Sequence, residues 1–363
     1  MTRATSTVPV SLRAKPAAAR QPEEPDHALQ PMPADGPLVD RYGRVHTDLR
    51  VSVTNRCNLR CVYCMPEDGV ATLPRAEILS FEEIFRVARV ARGLGVNSLR
   101  FTGGEPLIRK GIVELVSRVA EIGFHDVALT TNGTGLALLA QALVRAGLQR
   151  VNISCDSLRP DRFAQIRRRG KLTAVLEAFD AAEAAGLTPL KVNVVLMAGV
   201  NDDEILDFCA FARDSSRVVR FIEYMPLDAG GRWRRDQIVA GDEVLARIAA
   251  RWPLVAIDAA PCDPAPAERY RFADGRGEVG VVTSVTRPFC ETCNRLRLTA
   301  DGAIRNCLFS DNELSVRSVL RHGGSDHDIA MLLRQAVWGK LPGHGISDPG
   351  FLPPLRSMSM IGG

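Results

Sequence analysis

At 363 residues the chain exceeds the ~250–300 at which single cores stop growing, unless a barrel takes it up as one unit. With 46% hydrophobic and 24% charged residues it can bury a large core, and its composition is that of neither a coiled coil nor a wholly disordered chain. A net charge of +4 falls short of a dedicated nucleic-acid domain, no apolar run nears the ~18 residues that span a bilayer, and the N-terminus has no signal-peptide core. The expectation is a soluble, cytoplasmic protein that binds neither nucleic acid nor membrane.

Residues 1–38 are rich in Ala, Pro and Arg, with prolines at 9, 16, 22, 25, 31, 33 and 37, and are expected to form a disordered tail. Arg3, Arg13, Lys15 and Arg20 stand there without an acid in the first twenty residues, so a mitochondrial transit peptide, and with it the matrix, is the rival reading. From Leu49 the chain alternates β-branched runs with Ala/Leu/Arg segments, the pattern of βα units on a parallel sheet. Six strands are expected: "LRVSV", "SLRFT", "VALTT", "RVNIS", "LKVNVVL" and "RVVRFIEYM". Helices should begin near Ser80, Lys110, Gly135, Lys171 and Asp202, with Ser80 and Glu83 as a capping box. The fold class read from this is α/β, a partial six-unit βα barrel over 39–230. Such barrels carry their chemistry at the carboxyl ends of the strands, where Cys57, Gly103, Thr131, Ser154, Asn193 and Met225 fall.

A smaller α+β region is expected over 231–345. It contains a helix at "DEVLARIAARW", hairpins at "YRFADGRGEVGVV" and "RLRLTADGAIRNCL", and two amphipathic helices. Residues 346–363 form a Gly/Pro-rich tail ending in Gly362 and Gly363.

Six of the nine cysteines fall in two tight groups, which is not the framework of a disulfide-stapled domain. Cys57, Cys61 and Cys64 lie within "CNLRCVYC". Structural zinc is normally closed by four ligands, and four-iron clusters usually take four cysteines. A cluster given three keeps one iron open, and that iron can chelate the amino and carboxylate groups of S-adenosylmethionine. Cys290, Cys293 and Cys307 repeat the pattern; Cys262 as a fourth ligand would instead make a zinc ribbon. In a strand Arg295 and Arg297 share a face, and two guanidiniums beside a cluster repel unless an anion lies between them. Cys155, Cys209 and Cys262 are expected as buried spares, and no histidine is given a role.

"CNLRCVYC" resembles the CxxxCxΦC motif of the radical S-adenosylmethionine superfamily, with Tyr63 at the aromatic position, and "RFTGGEPL" resembles its GGEP motif. From about Arg50 to Gly363 the chain resembles the GTP 3′,8-cyclase family of molybdenum cofactor biosynthesis. The resemblance implies S-adenosylmethionine contacts at Tyr63, Gly104, Ser154 and Met225. It implies GTP contacts at Arg50, Arg100, Thr131, Lys191, Arg295 and Arg297, with Arg50, Arg295 and Arg297 as the catalytic set. It also implies two 4Fe-4S clusters, their open irons facing each other across the barrel mouth, the second taking the guanine. An external electron donor, transfer of product to cyclic pyranopterin monophosphate synthase, and a diglycine end reaching the active site belong to the same expectation; a homodimer is one assembly it allows. Ser98 departs from the family's usual Lys, and Cys155 from a usual apolar residue. A two-cluster peptide maturase and a barrel with a zinc ribbon remain alternatives.

Overall fold

The computed structural model describes residues 31–257 and 264–362. Six strands, β1 (Asp48–Ser52), β2 (Ser98–Thr102), β3 (Asp126–Thr131), β4 (Arg150–Ser154), β5 (Lys191–Leu196) and β6 (Val218–Glu223), lie side by side in chain order, each parallel to the last. The segments after them hold α1 (Phe81–Gly93), α2 (Ile112–Ala120), α3 (Leu136–Arg145), α4 (Pro160–Arg167), α5 (Leu172–Ala184), α6 (Ile205–Arg213) and α7 (Gly241–Ala249). Ser80 and Glu83 form the expected capping box at the start of α1. The sequence pattern missed α4, whose first residue is a proline in "SLRPDRF", a position where Pro is favourable.

The later strands do not build a sheet of their own. They are β7 (Leu254–Ala256), β8 (Glu268–Phe272), β9 (Glu278–Val282), β10 (Arg295–Leu298), β11 (Ala303–Arg305) and β12 (Glu313–Ser315), followed by α8 (Val316–Arg321), α9 (Asp326–Trp338) and α10 (Met358–Ile361). β9 adds parallel to β6 and carries β8 and β7 antiparallel; β10 adds parallel to β1 and carries β11 and β12 antiparallel. The result, among the described residues, is a mixed sheet in the order β12-β11-β10-β1-β2-β3-β4-β5-β6-β9-β8-β7. An open parallel sheet leaves unpaired N–H and C=O groups at both edges, and the two C-terminal hairpins cover one edge each.

The strands alternate with a period of two. Leu49, Val51, Leu99, Phe101, Val151, Ile153, Val192, Val194, Val219 and Phe221 belong to one hydrophobic cluster with the helices, which include Ile84 and Val87 of α1. The opposite parity carries the charges, Asp48, Arg50, Ser98, Arg100, Arg150, Asn152, Lys191, Asn193 and Arg220, beside Ala128, Val195, Val218 and Ile222. The sheet is therefore apolar toward its helices and charged on its other face.

Two expectations are corrected here. Residues 36–38 are not tail: Leu38 is fully buried, its N–H donates to the Leu94 carbonyl, and Arg334 donates to the carbonyls of Gly36 and Pro37. Nor do the cysteine trios face each other at one mouth. Cys57 follows the carboxyl end of β1, whereas Cys293 stands two residues before Arg295, which pairs with Asp48 at the amino end of β1. The trios lie at opposite ends of a strand, on the order of 15 Å long at ~3.3 Å per residue. Parallel pairing of β10 with β1 requires this, because the turn entering β10 must sit where β1 begins.

Candidate active site

Both trios open onto one cavity of about 290 Å³, lined at one end by Cys57, Cys61 and Cys64 and at the other by Cys290, Cys293 and Cys307. Tyr63, Gly104, Ser154 and Met225 line it, as do Arg50, Arg100, Thr131, Arg295 and Arg297. Lys191 lies apart, in an adjoining cavity of about 380 Å³ at the amino ends of the strands; Arg50, Arg100 and Arg220 border both.

The first trio's loop is tightly wound. The N–H groups of Cys64 and Met65 both donate to the Cys61 carbonyl, and those of Arg60 and Val62 donate to the carbonyls of Arg167 and Ile166 in α4. Arg167 Nη1 donates to Cys61 Sγ at 3.4 Å, while its Nη2 meets Asp156 at 2.8 Å, and Tyr63 donates its hydroxyl to the same Asp156. Gly104 is pressed onto this loop: a Cβ there would lie 2.2 Å from the Arg56 carbonyl oxygen, so only glycine fits. Its N–H donates to the Thr54 carbonyl at 2.7 Å, and that of Glu105 to the Arg56 carbonyl at 2.8 Å. The buried Glu105 carboxyl accepts from the Thr131 hydroxyl and the Asn132 N–H, and burial pushes it up to about 7. The Thr131 hydroxyl, expected to meet the nucleotide, is thus given to Glu105.

At the second trio, Arg295 Nε and Nη2 donate to Cys293 Sγ at 3.3 and 3.1 Å, and Lys340 Nζ donates to the same sulfur at 3.2 Å. Burial raises that thiol, but Arg295 and Lys340 pull it down to about 6, whereas burial pushes Cys290 and Cys57 up to about 11. Cys262, the fourth ligand of a zinc ribbon, lies outside the described residues, as does Gly363. Cys155 and Cys209 are buried, as expected.

Between the trios runs a row of cations. Arg297, Arg50 and Arg100 occupy directly paired positions on β10, β1 and β2. Adjacent strands are ~4.8 Å apart, and like charges directly opposite destabilise a sheet. Burial, and after it Arg297 and Arg100, holds Arg50 well below the usual guanidinium range; burial and Arg295 bring Arg297 to about 10. Lys191 falls to about 7 through burial and then Arg220, Arg150 and Arg100. The Nε atoms of Arg50 and Arg100 are buried with no hydrogen-bond partner. Gly362, with φ +73°, sits against Thr102 and Ser52, and its carbonyl accepts from Arg297 Nη1. Sequence reasoning missed Arg220 and Arg150. The signal for Arg220 was present, since "VVRFIE" carries Arg at the polar parity of its strand, as "SLRFT" does.

These features suit a site for a polyanion flanked by two cysteine trios. The donor sets fit iron–sulfur clusters: three thiols at each end, with the buried Nε of Arg167 beside Cys61 lacking an acceptor. Among the described residues no three His, Cys, Asp or Glu side chains converge on a single-ion site, whereas a four-iron cluster takes one thiolate per iron.

Comparison with known proteins identifies the family. The model of the radical SAM superfamily matches residues 51–212, and that of molybdenum cofactor synthesis C matches residues 217–346. A GTP 3′,8-cyclase of Streptomyces coelicolor is 50% identical over 328 residues, covering 90% of this chain and 96% of its own. The chain belongs to the GTP 3′,8-cyclase family. A second member, from Mycolicibacterium smegmatis, is 46% identical over 96% of this chain and 98% of its own. Among solved structures, Streptococcus suis SuiB superposes with a TM-score of 0.57 at 13% identity, over 84% of this chain and 68% of that one. Native anSMEcpe with bound AdoMet gives 0.54 at 14% identity over 83% and 82%. At these identities the likeness is one of fold, and the fold is the α/β radical SAM fold. Among the described residues no helix is long and apolar enough to cross a membrane.

Proposed function

We propose that the protein converts GTP to (8S)-3′,8-cyclo-7,8-dihydroguanosine 5′-triphosphate, the first step of molybdenum cofactor synthesis. The observation that carries this is the in-register row Arg297–Arg50–Arg100, set between two cysteine trios that share one cavity. Cys57, Cys61 and Cys64 would hold a four-iron cluster that would supply the electron for reductive opening of S-adenosylmethionine, and Cys290, Cys293 and Cys307 would hold a second that would offer guanine an open iron.

The chain's own residues do the rest. Gly104 lets the backbone after β2 approach the first trio, where the methionine moiety would lie, with Tyr63, Ser154 and Met225 around the nucleoside. The guanidiniums of Arg50, Arg100, Arg295 and Arg297 hold the nucleotide between the trios through charge-assisted bonds to phosphate and base oxygens, and Lys191 adds a cation in the adjoining cavity. The catalytic set is Arg50, Arg295 and Arg297, which fix the ribose between the two ends, while the cavity keeps water and stray reductant away from the reacting atoms. Thr131 serves through Glu105, positioning the loop beside the first trio. The reading carries a six-unit partial barrel over 39–230, a second cluster in 231–345, an external electron donor, and release of product to cyclic pyranopterin monophosphate synthase in the cytoplasm.

The test is anaerobic reconstitution followed by incubation with GTP, S-adenosylmethionine and dithionite. Cyclised nucleotide, 5′-deoxyadenosine and about eight irons per chain are expected. Failure to cyclise GTP at full iron loading would overturn the activity; turnover at about four irons plus one zinc would overturn the second cluster.

A further inference from the structure

Lys340 follows α9 and is almost wholly buried, at 4% exposure. Its ammonium has two acceptors, Cys293 Sγ at 3.2 Å and the Arg295 carbonyl at 3.0 Å. Among the described residues no carboxylate forms an ion pair with it. A buried ammonium without a carboxylate is expensive unless some other negative charge faces it, and here the facing group is the sulfur of a cysteine trio. The placement is built rather than incidental. Arg44, held by Asp40 at 2.5 Å, donates to the Cys290 carbonyl at 2.8 Å and to the carbonyls of Leu341 and Pro342, the two residues after Lys340. One guanidinium thereby staples the lysine's segment to the cysteine turn.

The first trio is treated differently. The cation on Cys61, Arg167, is itself neutralised by Asp156 at 2.8 Å. The second trio receives two cations on Cys293, Arg295 and Lys340, with no neutralising carboxylate bonded to either among the described residues. Hydrogen bonds and positive charge at cluster sulfurs favour the reduced state, which carries one more negative charge.

We propose that Lys340 is a positioning residue that sets the reduction potential of the second cluster, holding it above the value that its three thiolates alone would give. This rests on the two-cluster reading above. The step concerned is a one-electron reduction of the cluster core with dithionite as donor; no covalent bond forms or breaks, and the Lys340 proton stays on nitrogen.

The experiment uses the full chain with Cys57, Cys61 and Cys64 replaced by Ser, so that only the second trio can load. It is reconstituted anaerobically and titrated potentiometrically with electron paramagnetic resonance as the readout. Lys340→Gln should make the cluster about tenfold harder to reduce, a downward shift of about 59 mV for one electron. Lys340→Arg, which keeps the charge, should shift it by less than half of that. An unchanged midpoint in Lys340→Gln at full iron loading would overturn the proposal. Should Lys340→Gln fail to hold iron, Arg44→Gln decides instead: it leaves lysine and cysteines in place but frees the staple, so a lowered midpoint supports the proposal and an unchanged one overturns it. If the parent chain with its first trio removed folds but loads no iron, the two-cluster reading has failed, whatever Lys340 does.

Discussion

Replacing Gly104 by Ala tests whether the loop after β2 is fitted to the first cysteine trio. The new Cβ would lie 2.2 Å from the Arg56 carbonyl oxygen, 2.6 Å from its carbon and 2.9 Å from the Asn55 oxygen, all backbone atoms with no rotamer to yield. Ordinary contact requires ~3.3 Å, so the two segments must part by roughly 1 Å, enough to break the Gly104–Thr54 and Glu105–Arg56 hydrogen bonds of 2.7 and 2.8 Å. A buried backbone group left without a partner costs about 1–3 kcal/mol, giving roughly 2–6 kcal/mol for the pair. At ~2 °C per kcal/mol for a chain of this size, the melting midpoint should fall by roughly 4–12 °C. The assay is thermal denaturation of the iron-loaded protein, with anaerobic release of 5′-deoxyadenosine as the companion; release should fall at least tenfold. Gly93→Ala is the control, since nothing lies within 4 Å of its added methyl, and it should be neutral or slightly stabilising. A Gly104→Ala protein with unchanged melting and unchanged 5′-deoxyadenosine release would refute the reasoning.

Further outcomes follow from the cationic row. GTP or tripolyphosphate at a hundredfold excess over its dissociation constant should stabilise the wild type by about 2.7 kcal/mol, with Arg50→Gln losing most of the gain; calorimetry in low and high salt checks this. Arg297→Ala should stop cyclisation while largely retaining cleavage of S-adenosylmethionine, measured as the ratio of cyclised nucleotide to 5′-deoxyadenosine. Lys191 titrates near 7 in the folded protein and near 10.5 when unfolded, so between those values the unfolded chain binds more protons and stability rises with pH. The gain in denaturation midpoint between pH 7 and pH 10 should therefore be larger for the wild type than for Lys191→Met; equal gains would remove Lys191 as the cause.

The six early strands could be read because each buries one parity against helices, and a period of two survives any tertiary detail. The same parity would have found Arg220. The hairpins at 270–282 and 295–308 were also legible, but their destinations were not. Whether a hairpin makes a sheet of its own or caps an open edge depends on pairing partners far off in the chain, Val219 for Val279 and Arg50 for Arg297. Without those partners the end of the strands at which the second trio stands could not be read. The cysteine spacings and "GGEP" named the chemistry of the first end, since spacing is local. Lys340 left no trace in the sequence, because its relation to Cys293 is made by tertiary contacts, the staple through Arg44 among them. Thr131 shows the opposite limit: a residue can stand in the right place with its hydroxyl already committed.

The one-sided sheet separates two duties that most enzyme cores combine. Leu49, Val51, Leu99 and Phe101 carry the cohesion of the protein, while their neighbours Arg50 and Arg100 crowd one another, with Asp48 3.7 Å from the Arg50 Nε as a shared counter-charge. Residues of the second kind can be exchanged without opening voids in the first. Redesign of the cavity for a different nucleotide can therefore begin at these two arginines, and their neutral replacement should yield a sturdier, though idle, protein.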